Sequence, residues 1–287
     1  KPGYGWNKLH NRFPRLIYAA TSGFGHTGPL SGRPAYDLIV QAMGGLMSLT
    51  GHPGGPPVRA GTSLGDIAAG LFTAIGINGA LYHRQSSGRG MMVDVSMLDS
   101  QVAILENAIA RFAATGISPA PLGARHPSIA PFDAFAAKDG VFVVATGNDA
   151  LFFLLCKTIG RADLASDALF STNELRCEHQ GKLKDELEKT FRDEPTAHWL
   201  AVFENAGVPS GPINSIGRLF DLPQLSARNM IVTAEDPVAG PLKMAGNPIK
   251  ISGFPDAPDR PPAPALDGDR EKILGKHEER CLSKGKN

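Results

Sequence analysis

One carboxylate in this sequence is placed to do chemistry. Asp66 closes the run Gly61-Thr-Ser-Leu-Gly-Asp66 and precedes a long stretch of small and apolar residues, Ile67 to Leu81. A helix over that stretch makes Asp66 its N-cap, because Asp accepts hydrogen bonds from the free N–H groups of a first turn. The helix dipole favours negative charge at the same place. A carboxylate fixed in this way is either a plain cap or a nucleophile, and residue type alone leaves both open. Asp37, beside Tyr36 at another predicted helix start, has no stronger claim.

Other chemical signals are weaker. Gly23-Phe-Gly25-His-Thr-Gly28 spells G-x-G-x-x-G after an apolar run. A dinucleotide site needs the helix to open inside that motif, whereas Pro29, Gly32 and Pro34 postpone it to about Tyr36. The segment reads instead as a flexible loop lining some ligand. His26 and His126 lie in Gly/Pro loops, where an exposed histidine and a ligand contact are both open readings. No histidine pairing has metal spacing. Ser22 stands in Thr-Ser-Gly and not in a G-x-S-x-G elbow. Cys156, Cys177 and Cys281 are an odd, scattered set, read as reduced thiols; Cys156 falls on what reads as a buried helix face.

The elements that must hold these residues alternate. Residues 15–21 read as a strand buried on both faces, 36–49 as a helix, and the stretch after Asp66 as a helix ending near Ser87-Gly88. Gly70, Gly76 and Gly79 inside that helix suggest close approach by a backbone or ligand. Residues 91–95 form a second strand, and Ser96 or Asp99 caps a helix running to about Thr115. Residues 116–128 are a Gly/Pro linker. A hairpin follows at 131–145, turning at Asp139-Gly140. Helices come next at about 150–159, 182–191 and 196–206, the last with Trp199, Val202 and Phe203 as a core stripe. Short strands at 230–233, 242–244 and 249–251 precede an extended proline-rich arm at 255–266 and a basic tail after Leu274.

This pattern is α/β: an incomplete Rossmann-like large domain at 1–115, a smaller α+β domain at 116–225, and a segment at 226–287 returning to the large domain. The 287 residues are 42% hydrophobic and 20% charged, an ordinary globular composition. A net charge of +1 gives no bias toward nucleic acid or a membrane surface. No apolar run reads as a membrane span, and the opening Lys1-Pro-Gly-Tyr-Gly-Trp6 has Gly and Pro where a signal peptide needs an apolar core.

Taken together, ordered blocks across nearly the whole chain resemble the class III CoA-transferases. They are Pro14-Arg-Leu-Ile-Tyr18, Ser22-Gly-Phe-Gly25, Arg33-Pro-Ala-Tyr-Asp37, Gly61-Thr-Ser-Leu-Gly-Asp66, Gly88-Arg-Gly90 and Val93-Asp-Val-Ser-Met-Leu-Asp99. Later blocks are His126-Pro-Ser-Ile-Ala-Pro131, Lys138-Asp-Gly140, Thr172-Asn173, Gly207-Val-Pro209 and Gly211-Pro-Ile213. The resemblance implies that Asp66 is the catalytic nucleophile, that Tyr36 lies beside the thioester and Met97 in the acyl pocket, and that Asp37 fills the acidic position next to Tyr36. Ser22, Gly23, Phe24, Gly25, Arg33 and Gly65 become substrate and CoA contacts. Arg125, in a lid-like stretch Leu122–Pro127 poorer in glycine than the family's, becomes a carboxylate contact.

The resemblance further implies acyl-CoA and a free carboxylic acid as substrates, with succinyl-CoA and a dicarboxylate or hydroxy acid favoured. It implies no permanently bound cofactor, no metal, an interlocked homodimer, and a cytoplasmic location (the mitochondrial matrix in a eukaryote). Family members carry a nucleotide-binding-like half before the point where this chain begins, so an acyl-CoA-binding remnant without turnover is one alternative. The related α-methylacyl-CoA racemases are another; they place a histidine where this chain has Tyr36, and two-base proton exchange suits His better than Tyr.

Overall fold

The computed structural model describes residues 3–275. The chain divides into two compact units, Lys1–Gly211 and Pro212–Asn287. The first opens with α1 (Trp6–Arg12) and β1 (Tyr18–Ser22), then runs through α2 (Asp37–Met43), α3 (Leu46–Leu49) and α4 (Leu64–Ser87) to β2 (Met92–Ser96). β1 and β2 pair in parallel, with Tyr18 opposite Met92 and Ser22 opposite Ser96. The helices between them are the crossover that a parallel pair requires. α5 (Met97–Ala103) and α6 (Ala108–Thr115) follow.

The rest of the first unit is α+β. β3 (Phe132–Ala136) and β4 (Val141–Ala145) form an antiparallel hairpin, edged by β5 (Ser210–Pro212). Between them come α7 (Asp149–Thr158), α8 (Ala162–Ser166), α9 (Asn173–Glu178), α10 (Gln180–Phe191) and α11 (Thr196–Ala206). The core sits here. Phe191 meets the rings of Phe135, Phe142 and Trp199 at 5.6, 5.2 and 5.4 Å. The Trp199 indole N–H donates to the Phe191 carbonyl at 2.8 Å, satisfying its one polar atom. The stripe read on α11 is a core stripe, and Cys156 is fully buried. Burial pushes the Cys156 thiol up to about 12, which suits an inert packing residue. Cys281 and the basic tail beyond Gly275 lie outside the described residues.

The second unit contains α12 (Pro223–Ala227), β6 (Ile231–Asp236), β7 (Gly240–Ala245) and β8 (Asp259–Arg260), with β6 central in its sheet. Its β6–β7 hairpin pairs Ile231 with Ala245 and Asp236 with Gly240. Gly240 takes a φ of +77° at the tight turn.

Several sequence expectations are corrected. β1 alternates half-buried and exposed residues instead of being buried on both faces, because its sheet has only two strands. The 36–49 helix breaks at Gly44-Gly45, where Gly45 turns left-handed. The 96–115 helix breaks between Ala103 and Ala108. Only Gly76 marks close approach: a Cβ there would sit 2.6 Å from Val93 Cγ1, whereas Gly70 and Gly79 face open space. Ile249–Ile251 is not a strand; β8, inside the proline-rich arm, pairs with β6 instead. Finally, α4 is long and apolar enough to cross a membrane by length and composition, contrary to the reading that no run is. Its Ile and Leu residues carry that average, and α4 packs on β1, β2, α2 and α5 as a crossover helix.

Candidate active site

Asp66 is the third residue of α4 and not its cap; the N-cap is Ser63, whose side chain makes no capping bond. The first-turn N–H that a cap would satisfy is taken from outside. Gly65 N–H donates to Asp37 Oδ1 at 2.9 Å, and Asp37 is a buried carboxylate at the start of α2. Asp37 Oδ2 accepts from Gln41 Nε2 at 2.8 Å, one turn along the helix. The Arg59 guanidinium stands 3.6 Å from the same oxygen.

Gln41, fully buried, ties the loop down twice more. Its Nε2 donates to the Thr62 carbonyl at 3.2 Å, and its Oε1 accepts from Ala60 N–H at 3.0 Å. A buried amide with its donors and acceptor used in this way fixes one backbone path. Gly65 is dictated by the same packing: a Cβ would lie 2.6 Å from Val40 Cγ2 and 3.2 Å from Asp37 Oδ1. Asp66 is thereby left exposed, with no ion pair or side-chain hydrogen bond among the described residues. It sits where the helix dipole favours negative charge. Tyr36, the residue before Asp37, is 82% exposed, so Tyr36 and Asp66 flank the two ends of one hydrogen bond.

A second clamp holds the glycine loop. Ser22 Oγ accepts from Gly25 N–H at 3.0 Å. The Gly23 carbonyl accepts from Leu98 N–H at 3.1 Å. A Cβ on Gly23 would lie 2.4 Å from Ala35 Cβ, so this loop abuts the residue before Tyr36. Phe24 is buried with the Arg33 guanidinium over its ring at 5.8 Å. Ser96, closing β2, caps α5 by accepting from Asp99 N–H at 3.1 Å and so sets Met97 as the first residue of that helix. Asp94 takes two bonds from His26, from the backbone N–H at 3.0 Å and with Nδ1 at 2.8 Å. Partial burial alone would raise the Asp94 carboxyl; the His26 bonds outweigh it and hold the group below its usual value.

The structure therefore brings Ser22, Gly23, Phe24, Gly25, Arg33, Tyr36, Asp37, Gly65, Asp66 and Met97 onto the loops and helix starts around the C-terminal ends of β1 and β2. That is where α/β layers place their ligands. Arg125 is not joined to them: its guanidinium donates to Gln180 Oε1 at 2.8 Å, and it lines a separate cavity. A cavity of about 710 Å³ in the second unit, lined by Val232, Met244 and Phe254 among others, contains none of these residues. Sequence reasoning passed over Gln41, Arg59 and Asp94. The four-residue spacing of Asp37 and Gln41 was a usable signal, and so was a carboxylate between the two valines of Val93-Asp94-Val95.

The comparisons with known proteins bear on this arrangement. The family model described as CoA-transferase family III matches residues 1–270. The chain belongs to CoA-transferase family III. It is 49% identical over 266 residues to the acetyl-CoA:oxalate CoA-transferase of Acetobacter aceti, covering 92% of this chain and 67% of that protein. It is 35% identical over 280 residues to the succinyl-CoA:glutarate CoA-transferase of Mus musculus, covering 98% of this chain and 62% of that one. This family III chain thus spans roughly two thirds of the length of these relatives. Among solved structures, a CaiB/BaiF family protein from Brucella suis superposes with a TM-score of 0.79 at 34% identity, over 96% of this chain and 71% of that one. A protein from Mycobacterium tuberculosis superposes with a TM-score of 0.82 at 25% identity, over 95% and 71%. The mixed helix-and-strand architecture is that of the CaiB/BaiF fold.

Proposed function

We propose that this chain carries the catalytic carboxylate of a CoA-transferase, with Asp66 moving CoA from an acyl-CoA to a free carboxylic acid. The observation that supports this most is the division of labour between two aspartates. Asp37 does the structural work at the start of α4, and Asp66 is left exposed and unengaged one residue beyond Gly65.

In this reading an Asp66 oxygen attacks the thioester carbonyl carbon. The C–S bond breaks, its electron pair leaves with CoA thiolate, and a mixed anhydride forms. The thiolate then attacks the aspartyl carbonyl carbon and expels the donor carboxylate, leaving an aspartyl-CoA thioester. The acceptor carboxylate attacks that thioester, which regenerates an anhydride and the thiolate. A last attack of thiolate on the acceptor's acyl carbon releases the new CoA ester and the Asp66 carboxylate. No proton is gained or lost over the cycle. Backbone N–H groups at the start of α4 and in the Gly23–Gly28 loop are the donors available to the oxyanions formed.

Relatives named for oxalate and glutarate point to a dicarboxylate acceptor. Tyr36, a poor two-base partner at neutral pH, favours transfer over racemisation. A homodimer and a cytoplasmic or mitochondrial-matrix setting belong to the same reading. The test is CoA exchange between succinyl-CoA or acetyl-CoA and a panel of dicarboxylates, followed by mass. Exchange that vanishes in Asp66→Ala supports the reading. Solvent deuterium entering the α position without acyl transfer would replace it with the racemase.

A further inference from the structure

Two arginines outside this site, Arg111 on α6 and Arg125 in the loop before β3, line one cavity of about 180 Å³. Leu49 and Leu122 supply apolar wall, and Glu106 and Asn107 complete its polar side. We propose that this cavity is a binding site for a single oxyanion, the carboxylate or phosphate end of a larger ligand.

Three observations carry the proposal. Arg111 Nε is buried with no hydrogen-bond partner, and an unpaired buried donor is costly until something accepts from it. Arg125 is oriented by a neutral acceptor, Gln180 Oε1 at 2.8 Å, which fixes its fork without cancelling its charge. Neither arginine belongs to any ion pair of the described residues. Third, Asn107 occupies the N-cap of α6, yet its side chain makes no capping bond, so its amide is available to a ligand.

The charge balance fits. Two guanidiniums against the one carboxylate of Glu106 leave a single positive charge on the lining. Guanidinium forks match planar carboxylates and phosphates in paired hydrogen bonds. Size sets the class: at about 180 Å³ the cavity falls below the roughly 300 Å³ lower end of small-molecule pockets, so it suits the charged end of a ligand and not a whole nucleotide. Arg125 is the residue that the family resemblance offers as a carboxylate contact, but the site rests on its own lining and does not require Asp66 to be the nucleophile.

The test is a titration of the full 15N-labelled chain, reading the Arg111 Nε–H resonance by NMR at constant ionic strength. The probes are inorganic phosphate, glutarate and CoA, with choline chloride as the control. A saturable shift with an oxyanion and none with choline is expected. Arg125→Met weakens that binding at least tenfold, Arg125→Lys restores part of it, and Glu106→Gln tightens it. Response to phosphate and CoA but not glutarate assigns the phosphate of CoA; response to glutarate alone assigns the acid. A resonance that moves with none of the three anions, or moves equally in Arg125→Met, overturns the proposal. Asp66→Asn should leave every one of these titrations unchanged, so failure of the anion site and failure of the transferase mechanism are seen separately.

Discussion

The two halves of the first unit are held together differently. Around β3, β4, α7, α10 and α11, aromatic side chains point inward: Phe135, Phe142, Phe152, Phe191 and Phe203 are all essentially solvent-free. Around β1, β2, α2 and α4, the buried residues of α4 are Gly65, Ala68, Ala69 and Ala80, while Leu71 and Ile75 are 60% and 65% exposed. One region is stabilised by burying large side chains. The other is positioned by polar clamps and by glycines that let backbones touch, with its larger apolar groups facing outward. The candidate active site lies in the second region. Its geometry depends on a few hydrogen bonds and close contacts more than on a packed interior.

Substitutions can break this contrast in descending order. Phe203→Ala, in the aromatic core, should cost about 3–5 kcal/mol, seen as a large drop in the midpoint of urea unfolding followed by near-UV circular dichroism. Gly65→Ala should cost about 1–3 kcal/mol by overpacking against Val40 and Asp37. It should also displace Asp66, so activity falls further than stability does. Asp37→Ala leaves Gly65 N–H and Gln41 without their acceptor, at about 1–3 kcal/mol. Faster hydrogen exchange at residues 59–66 would report it. Leu71→Ser on the outward face of α4 should change stability by no more than about 0.5 kcal/mol; a loss of several kcal/mol would mean that this face is covered in solution.

The second clamp has a pH signature. Asp94 is held below its usual value near about 4, so its contribution is complete above that value. It is lost as pH falls through the lowered one. Protection of the amides in residues 22–28, taken relative to their intrinsic exchange rates, should therefore fall only at the acid end, and Asp94→Asn should flatten that dependence.

How much of this was legible in the sequence follows from the same contrast. The hairpin at 131–145 and the helix with Trp199 and Phe203 were readable because side-chain periodicity carries them, and periodicity survives in one dimension. The helix breaks at Gly44-Gly45 and at Ile104–Asn107 were missed because apolar residues flank both and keep the helical period; the Gly44-Gly45 pair was a usable breaker signal, whereas at Glu106-Asn107 polar residues on a helix read as its outer face. Asp66 was found as a special carboxylate, but for a partly mistaken reason. The capping work expected of it is done by Asp37, 29 residues earlier, and a bond between sequence-distant groups leaves no local trace. Gln41 was hidden likewise: a glutamine on a predicted helix reads as surface, whereas here it is fully buried and ties down Ala60 and Thr62.

The central claim is that Asp66 is the atom-transferring carboxylate and Asp37 its scaffold. The most direct measurement is to mix the chain with succinyl-CoA, quench in acid, and map the peptide containing residues 60–84 by mass. The account predicts a CoA thioester on Asp66 that disappears on addition of an acceptor acid, is absent in Asp66→Asn, and still forms, more slowly, in Asp37→Asn. CoA exchange that proceeds in Asp66→Asn, or an adduct found on Asp37, would contradict it.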